Sequence, residues 1–361
     1  MSQEKKIYIA TFHHSMNYGA VLQTYALQQT LKCLGFSPTC VDFRLEEHFL
    51  EKKKNIRESI KIFLFSLYSI KKKYVFSLFR KRYISLTRHF KNIMSLSSDL
   101  FKDAYAGVCG SDQIWNLDIV PSDILSFFLL DFIPPGMKKI AYAASVVNLD
   151  RLQEHKDVFQ KSLQSFSAIS CRENEAKNIL EGLSTQKVSV VLDPTLLASH
   201  ETWKPLEKNR LVKENYVLFY SFGAPKEMIE FTEKIATEKN LIIVHFHKKN
   251  HFVNRSRSFA NAGPREFITL FRDADFVVTN SFHGTAFSLI YQKDFVVQRI
   301  KERASRMDHL ATVLGFSHRC TDNALSLNIK EIAPVDYDVI CHNLEKERTE
   351  SIAFLREALN G

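Results

Sequence analysis

The sequence predicts an α/β protein with two Rossmann-like, doubly wound parallel-sheet domains that face each other across a cleft. Three observations support this prediction. The length of 361 residues suits two domains of ordinary size. Short apolar strands alternate with amphipathic helices along both halves of the chain, which is typical of parallel sheets covered on both faces. Each half also contains a strand that runs through a polar loop into a helix, and open α/β sheets bind their ligands at such junctions.

The first half begins with a predicted strand at 6–12, followed by a polar loop at 13–18 and a helix from Gly19 that ends near Gly35. Further strands are predicted at 104–109, 139–145, 168–172 and 188–192, and further helices at 152–166 and 173–183. A polar stretch at 205–215 is predicted to be a linker. The first domain is therefore expected to span residues 1–204.

The second half repeats the alternation, and a second domain is expected at 205–340. Its strands are predicted at 216–222, 241–246, 276–279 and 295–298, and its helices at 226–239, 264–272, around His283 and at 304–314. A last helix at 343–359 has no strand after it. We expect the segment 341–361 to pack back onto the first domain.

The positive charge of the chain is concentrated in one segment of the first domain. The net charge is +9, but residues 52–102 carry fourteen Lys and Arg against two acids, so the rest of the chain is slightly acidic. Apolar turns alternate with basic clusters here, which predicts a basic amphipathic helical insertion at about 46–102. Two interpretations stay open: a surface that seeks anionic lipid, or an ordinary solvated basic face.

The composition excludes several classes of protein. The six cysteines show no paired spacing, which favours a reducing compartment over a disulfide framework or a metal site. No apolar run reaches the roughly 18 residues of a spanning helix, and the first strand leaves no room for a signal peptide. No nucleic-acid-binding motif accompanies the basic charge. We expect a cytoplasmic protein that binds no metal, no cofactor and no nucleic acid, located either free or peripherally at the inner face of the membrane, with homo-oligomerisation left open.

The most informative stretch is V-V-T-N-S-F-H-G-T-A-F, from Val277. A β-branched strand stops at two good helix N-caps, Asn280 and Ser281. This places His283 in the first helical turn, at the carboxyl end of a strand. Free N–H groups and the positive end of the helix dipole would hold an anion there beside His283. A buried histidine on a capped helix is the alternative.

The loop after the first strand predicts a second strand-to-helix junction that could bind an anion. Asn17, Tyr18 and Gly19 form a turn in which only glycine lets backbone approach a ligand without a Cβ clash. Many such loops bind nothing, so the pair of junctions is more suggestive than either alone.

Motifs along most of the chain resemble those of the polysaccharide pyruvyl transferase family. They are T-F-H-H-S-M-N-Y-G-A-V-L-Q-T-Y-A-L from Thr11, G-S-D-Q-I-W-N from Gly110, Y-A-A-S from Tyr142, S-C-R-E-N from Ser170, L-D-P-T-L-L from Leu192 and T-N-S-F-H-G-T-A-F from Thr279. The resemblance is weakest from about 49 to 100. It implies a fold like that of the two-domain B-type glycosyltransferases (GT-B). It also implies transfer of a pyruvyl group from phosphoenolpyruvate to a sugar, as a ketal across two hydroxyls.

The implied reaction suggests roles for individual residues. Histidine titrates near neutral pH, so His283 is predicted as the general acid/base. Asp112 is predicted to act as a base or to orient the acceptor, although a turn aspartate is equally compatible with Gly-Ser-Asp. The acceptor, a glycan or a polyprenyl-linked oligosaccharide, is predicted to contact four residues of the first domain: Asn17, Tyr18, Gly19 and Ser111.

The doubly anionic donor needs cations with a fork geometry, which arginine provides. The predicted donor contacts are Arg172, Ser281, Gly284, Arg303 and Arg306. A surface ion pair with Glu173 or Glu175 is the alternative for Arg172. Relatives in the family carry an arginine where this chain has Ser281, so the positive charge must come from elsewhere or the donor differs.

Two other functions remain open. The first is a nucleotide-sugar-dependent GT-B glycosyltransferase, since fold does not fix function. The second is a non-catalytic assembly subunit that docks partners through the basic segment. The pattern His245, His247, His251 would allow a metal site, but it lacks a carboxylate ligand and lies beside two lysines, so no metal is predicted.

Overall fold

The computed structural model describes residues 4–44, 70–301 and 304–361. Two compact units emerge from it. Of the described residues, the first comprises 4–44, 70–73, 77–198 and 347–361, and the second comprises 74–76, 199–301 and 304–346. The division falls at 198/199 and again inside the last helix at 346/347.

The first unit contains a seven-stranded parallel sheet of order β3-β2-β1-β4-β5-β6-β7. Its strands are β1 (Lys6–Ala10), β2 (Ser37–Phe43), β3 (Leu86–Phe90), β4 (Ala104–Cys109), β5 (Lys138–Ala144), β6 (Ala168–Cys171) and β7 (Val188–Val190). The order reverses direction between β1 and β4, the topological switch point of a doubly wound sheet.

The second unit contains a six-stranded parallel sheet of order β10-β9-β8-β11-β12-β13. Its strands are β8 (Tyr216–Tyr220), β9 (Ile242–His245), β10 (Ser256–Ser258), β11 (Phe276–Thr279), β12 (Asp294–Gln298) and β13 (Cys320–Thr321). The switch point here lies between β8 and β11. The predicted fold class, two doubly wound parallel-sheet domains, is confirmed.

Helices connect the strands, as parallel pairing requires. The described helices are α1 (Tyr18–Cys33), α2 (Ile70–Tyr83), α3 (Leu125–Phe128), α4 (Leu149–Glu154), α5 (Lys156–Leu163), α6 (Asn174–Leu183), α7 (Pro194–Leu197), α8 (His200–Trp203), α9 (Lys226–Glu238), α10 (Pro264–Asp273), α11 (Phe282–Ile290), α12 (Ala304–Leu314) and α13 (Tyr337–Asn360). The end of α13 belongs to the first unit, where the backbone oxygen of Leu359 accepts hydrogen bonds from Tyr105 and Lys138.

Each unit has its own apolar core. In the first, Trp115 is fully buried and packs edge-on against Phe159 and Phe166. In the second, Phe219 and Phe252 pack edge-on in the core beside Val278. The strands read as nearly continuous apolar runs because both faces of a parallel sheet are covered.

Two sequence predictions about elements need correction. The single helix predicted at 152–166 is two helices, α4 and α5, separated at His155. The helical insertion predicted at about 46–102 is helical at 70–83, but residues 86–90 form β3 and pair with β2 at the edge of the sheet. The part at 46–69 lies outside the described residues. β2 and β3 were not predicted, because neither follows a clear period-two pattern.

Candidate functional site

The first unit has a cavity of about 230 Å³ at its switch point. The loops after β1 and β4 form most of it, and Ala20 of α1, Phe43 of β2 and Phe128 of α3 complete it. Its lining residues are Thr11, Phe12, His13, His14, Ser15, Asn17, Ala20, Phe43, Asp112, Gln113, Ile119 and Phe128. Aromatic and aliphatic side chains therefore alternate with carboxylate, amide and hydroxyl groups around the cavity. Such a lining suits a small polar ligand with apolar faces, such as a sugar ring.

Asp112 is brought to this cavity by an unusual backbone. Gly110 has φ +113, and a Cβ there would overlap the backbone oxygen of Tyr142, so only glycine fits. Asp112 has φ +72, a left-handed conformation that aspartate and asparagine tolerate better than most residues. Its Oδ1 accepts a hydrogen bond of 2.9 Å from the backbone N–H of Gln113. Asp112 can thus complete the turn and still present its carboxylate at the cavity wall.

Ser111 lies beside Asp112 but is fully buried. Its hydroxyl lies 3.0 Å from both the backbone oxygen of Ala143 and Asp193 Oδ2, and its N–H donates to Gln23 Oε1. These contacts hold the loop to the sheet. The acceptor contact predicted for Ser111 is therefore not supported, since the residue presents no surface.

Asn17 and Gly19 form the N-terminus of α1. Asn17 is the N-cap, and its side chain accepts hydrogen bonds from the N–H groups of Gly19 and Ala20. The Gly19 N–H that was predicted to meet a ligand is thus used by the cap. Tyr18 is buried, with the Lys72 ammonium 4.6 Å from its ring centroid. Of the predicted acceptor residues, Asn17 alone lines the cavity.

Arg172 is buried at the end of β6 in a cluster of carboxylates. It donates a 2.6 Å hydrogen bond to Asp193 Oδ2, and its second terminal nitrogen lies 3.7 Å from Asp112 Oδ1. Burial alone would lower the pKa of Arg172, but Asp193, Asp112 and Glu173 raise it, so the guanidinium is charged. The surface ion pair considered for Arg172 is wrong, because its hydrogen-bonded partner is the buried Asp193.

His13 lies in the cavity wall and is fully buried. Its Nε2 is 3.0 Å from Asp42 Oδ1, at the end of β2, and its Nδ1 is 3.3 Å from the backbone oxygen of Thr11. Burial opposes protonation, but Cys40 and Asp42 raise the pKa of His13 to about 10. Arg44 makes two 3.0 Å hydrogen bonds to Asp42, and together with His13 it holds the pKa of this carboxyl well below its usual range, against the effect of burial. The result is a buried charged network behind the cavity.

In the second unit His283 lies in the first turn of α11, directly after β11 at the switch point. It is 8% exposed. Ser281 caps the helix by accepting from the Gly284 N–H at 3.4 Å, as predicted from the sequence. The Asn280 side chain accepts from the Phe222 N–H at 2.7 Å and donates to the Phe222 oxygen at 3.1 Å. This amide ties the end of β8 to the start of α11 and thereby fixes the corner that carries His283.

Gly284 and Ser281 stabilise this corner of the fold through close packing and hydrogen bonding. A Cβ at position 284 would overlap Thr279 Oγ1 and lie 2.9 Å from the Tyr220 ring, so α11 packs close to β8 and β11 only because this residue is glycine. The backbone N–H of Ser281 donates to Thr279 Oγ1 at 3.1 Å.

Of the predicted donor arginines, Arg306 is buried in α12, while Arg303 lies outside the described residues. His283, Ser281, Gly284 and Arg306 belong to the second unit, and Arg172 to the first.

The second unit contains a cluster of three histidines, considered above as a possible metal site. The rings of His245 and His247 stack with a centroid distance of 6.3 Å, and His251 packs edge-on against His247 at 5.6 Å. Burial and the two neighbouring imidazoles lower the pKa of His245 to about 4. Within the described part of the chain no group of three or more His, Cys, Asp or Glu residues is placed to hold a metal ion.

Sequence reasoning missed the residues that support the cavity. Asp193 was present in the quoted motif L-D-P-T but received no role, although it accepts from Arg172, Ser111 and Thr195. Asp42 was not considered. A lone acid inside the apolar run C-V-D-F was a usable signal, because a buried carboxylate requires a partner.

Comparisons with known proteins agree with this architecture. The sequence model described as polysaccharide pyruvyl transferase matches residues 17–297. None of the curated protein sequences compared with the chain matches it.

Several solved structures share the fold. A UDP-GlcNAc 2-epimerase from Methanocaldococcus jannaschii superimposes with a TM-score of 0.55 at 14% identity, over 99% of this chain and 100% of that one. The enzyme of the same name from Rickettsia bellii gives 0.57 at 10% identity, over 99% and 97%. An α-glucosyltransferase in complex with UDP and DNA gives 0.51 at 11% identity, over 98% and 95%. The predicted GT-B-like fold is confirmed by these neighbours, and at such identities they establish the fold alone.

Proposed function

Because this chain belongs to the polysaccharide pyruvyl transferase family, we propose that it transfers a pyruvyl group from phosphoenolpyruvate to a saccharide and forms a ketal across two of its hydroxyls. The observation that supports this most is the position of His283. It occupies the first turn of a helix at the switch point of its sheet, where an anion is favoured and where a proton donor is needed.

The donor is proposed to bind in the second unit. N–H groups at the start of α11 and the positive end of its dipole favour the carboxylate and phosphate of phosphoenolpyruvate. The side chains fixed at this corner, Asn280, Ser281 and Thr285, are neutral hydrogen-bonding groups that do not repel an anion. Arg306 is the cation we propose to compensate for the serine at position 281, and Arg303 is proposed with it.

The acceptor saccharide is proposed to bind the cavity of the first unit, against Phe12 and Phe128 and beside Asp112 and Asn17. A carboxylate and an amide give a sugar both acceptors and donors for its hydroxyls. We propose a cell-surface polysaccharide or its lipid-linked precursor as the acceptor, and the cytoplasmic side of the membrane as the place of the reaction.

The chemistry assigns one proton step to each group. His283 donates a proton to the methylene carbon of the donor, which creates an oxocarbenium-like centre at the adjacent carbon. A sugar hydroxyl attacks this centre, and Asp112 accepts its proton. A second hydroxyl then displaces phosphate and closes the ketal. The proton of the second hydroxyl leaves with phosphate, and the proton held by Asp112 returns through solvent to His283, which restores the enzyme. Overall, two hydroxyl protons are lost, one proton is gained by the new methyl group and one by the released phosphate, so the reaction balances without a cofactor.

The test combines phosphoenolpyruvate with a panel of soluble and lipid-linked saccharides and measures acceptor-dependent phosphate release, with mass spectrometry of the product. His283→Gln should lower the turnover number by about 10²- to 10⁴-fold. His318→Gln, at an exposed histidine of the same unit, is the matched control. Asp112→Asn keeps the left-handed backbone and should lower turnover while leaving folding intact. Turnover of His283→Gln equal to that of the control would contradict the proposed proton donor.

A nucleotide-sugar-dependent glycosyltransferase is the second candidate, because structural neighbours were solved with UDP-GlcNAc and UDP. The same assay distinguishes it when phosphoenolpyruvate is replaced by a set of nucleotide sugars. Release of nucleoside diphosphate in the presence of an acceptor, without activity on phosphoenolpyruvate, would favour this candidate.

A further inference from the structure

Helix α2, at Ile70–Tyr83, has one buried face and one exposed face of unusual composition. The buried face includes Phe76 and Phe79, and Phe79 packs edge-on against Tyr25 of α1. Arg80 also points inward and donates a 3.0 Å hydrogen bond to the backbone oxygen of His14. Phe79 and Arg80 therefore anchor the end of the helix to the first unit, whereas Phe76 lies in the short stretch 74–76 that belongs to the second unit. The basic cluster at 80–82 is divided between the two faces of the helix.

The exposed face carries an apolar stripe. Ile70, Tyr74 and Leu78 are 55%, 63% and 47% exposed, and their spacing of four residues places them on one side of the helix. Ordinary solvated helix faces are polar, so three large apolar side chains in a row are unexpected there. Water exposure of such a stripe is unfavourable, and contact with another apolar phase would relieve it.

The charges beside this stripe are all of one sign. Lys71, Lys81 and Arg82 are exposed, and the fourteen residues of the helix contain six Lys or Arg and no Asp or Glu. Long basic side chains can extend past a buried apolar stripe and keep their charges at an anionic surface. An apolar stripe with basic flanks is complementary to the headgroup region of an anionic bilayer.

We infer that the exposed face of α2 docks the protein onto an anionic phospholipid surface, with Ile70, Tyr74 and Leu78 inserted among the headgroups. The helix would lie in the plane of the membrane. No helix in the described ranges has the length and apolar character to cross a bilayer. The inference does not depend on the pyruvyl transfer proposed above.

The experiment is co-sedimentation of the full chain with vesicles. Phosphatidylcholine vesicles are compared with vesicles that also contain phosphatidylglycerol, at low and at physiological salt. We expect binding to the anionic vesicles alone, weakened by salt. Lys71→Gln/Lys81→Gln/Arg82→Gln should weaken binding by about fivefold per cation, on the order of a hundredfold in total. Tyr74→Ser/Leu78→Ser should weaken binding at both salt concentrations.

A matched control removes similar groups elsewhere. Val253 is 98% exposed, and Lys249 and Lys330 are exposed lysines of the second unit. Val253→Ser/Lys249→Gln/Lys330→Gln should bind vesicles like the unsubstituted chain. Circular dichroism and melting temperature establish that each variant is folded, and turnover with a soluble acceptor should be the same in all of them.

Three results would overturn the inference: no sedimentation with anionic vesicles at low salt, equal binding by the α2 variants and the control, or loss of self-association in the α2 variants without any vesicle binding. The last would assign this face to a second copy of the chain. Vesicle binding with no activity on phosphoenolpyruvate would support the docking surface and contradict only the proposed reaction.

Discussion

Replacing Asp193 by asparagine should destabilise the first unit strongly, because no orientation of the new amide fits. Asp193 Oδ1 accepts from the Thr195 N–H at 2.9 Å and from the Thr195 hydroxyl at 2.7 Å, while Oδ2 accepts from Arg172 at 2.6 Å. An asparagine has only one oxygen, so its NH₂ group must face a donor on one side or the other. It also leaves Arg172 buried without its hydrogen-bonded counterion.

The cost follows from burial. Removing one member of a buried ion pair costs about 3–5 kcal/mol, whereas an exposed pair contributes at most about 1 kcal/mol. Asp99→Asn is the matched control: the same chemical change in the same unit, at a side chain that is 73% exposed and 3.0 Å from Lys102. Asp193→Asn should therefore lower the free energy of unfolding by at least about 3 kcal/mol and Asp99→Asn by less than about 1 kcal/mol.

The chain offers a natural reporter for this measurement. It has two tryptophans, Trp115 in the first unit and Trp203 in the second, and both are fully buried. In a Trp203→Phe background, Trp115 fluorescence during urea unfolding reports the first unit alone. A loss below about 1 kcal/mol for Asp193→Asn would refute the buried pair. Additive effects of Asp193→Asn and Arg172→Met in the double variant would also refute it, since contacting residues should couple.

The remaining predictions concern His13 and Gly284. The pKa of His13 in the fold is about 10, above its usual value of 6.5, so its contribution to stability is complete below about pH 6.5 and is lost as the pH rises towards 10. Urea unfolding between pH 6.5 and 10 should show a decline of up to about 1.4 kcal/mol per pH unit that His13→Gln lacks, and parallel curves would contradict the charged pair. Gly284→Ala should cost about 1–3 kcal/mol through overlap with Thr279 Oγ1. Gly182→Ala, at a helical glycine with open space around it, should be neutral or slightly stabilising, and equal melting temperatures of the two variants would argue against close packing at 284.

The two junctions were predictable because their signals are local. The cap at Ser281 and the first-turn position of His283 follow from residues adjacent in sequence, and the structure confirms both. The helix predicted from Gly19 is also present, but it begins one residue earlier, at Tyr18. The alternation of strands and helices likewise predicted nine strands of the two sheets, β1, β4 to β9, β11 and β12, but not β2, β10 and β13. It could not predict β3, whose strand L-T-R-H-F has little apolar character and pairs only as an edge.

The cavity network was not predictable, because its members come from distant parts of the chain. His13 meets Asp42 only when β1 and β2 pair, and Arg172 meets Asp193 across the ends of β6 and β7. Residue type alone also misassigned functions. Ser111 and Gly19 fit a binding loop by composition, yet their polar groups are used by the fold itself.

The charge of the two junctions suggests how the substrates divide between them. Around the first cavity the cations His13 and Arg172 are already paired with the buried carboxylates Asp42 and Asp193. The described residues that line the cavity include no lysine or arginine, and Asp112 would repel a donor with two anionic groups. A neutral sugar suffers no such repulsion and can use the carboxylate as a hydrogen-bond acceptor.

Arg172 is therefore better explained as a positioning residue than as the donor ligand expected from the sequence. Its first terminal nitrogen is hydrogen-bonded to Asp193 and its second lies 3.7 Å from Asp112 Oδ1, so the guanidinium holds the Asp112 loop in place. If so, Arg172→Lys should lower turnover while leaving the KM for phosphoenolpyruvate nearly unchanged, because lysine cannot reproduce the two-pronged contact. A large rise in that KM with little change in turnover would instead support Arg172 as a ligand of the donor.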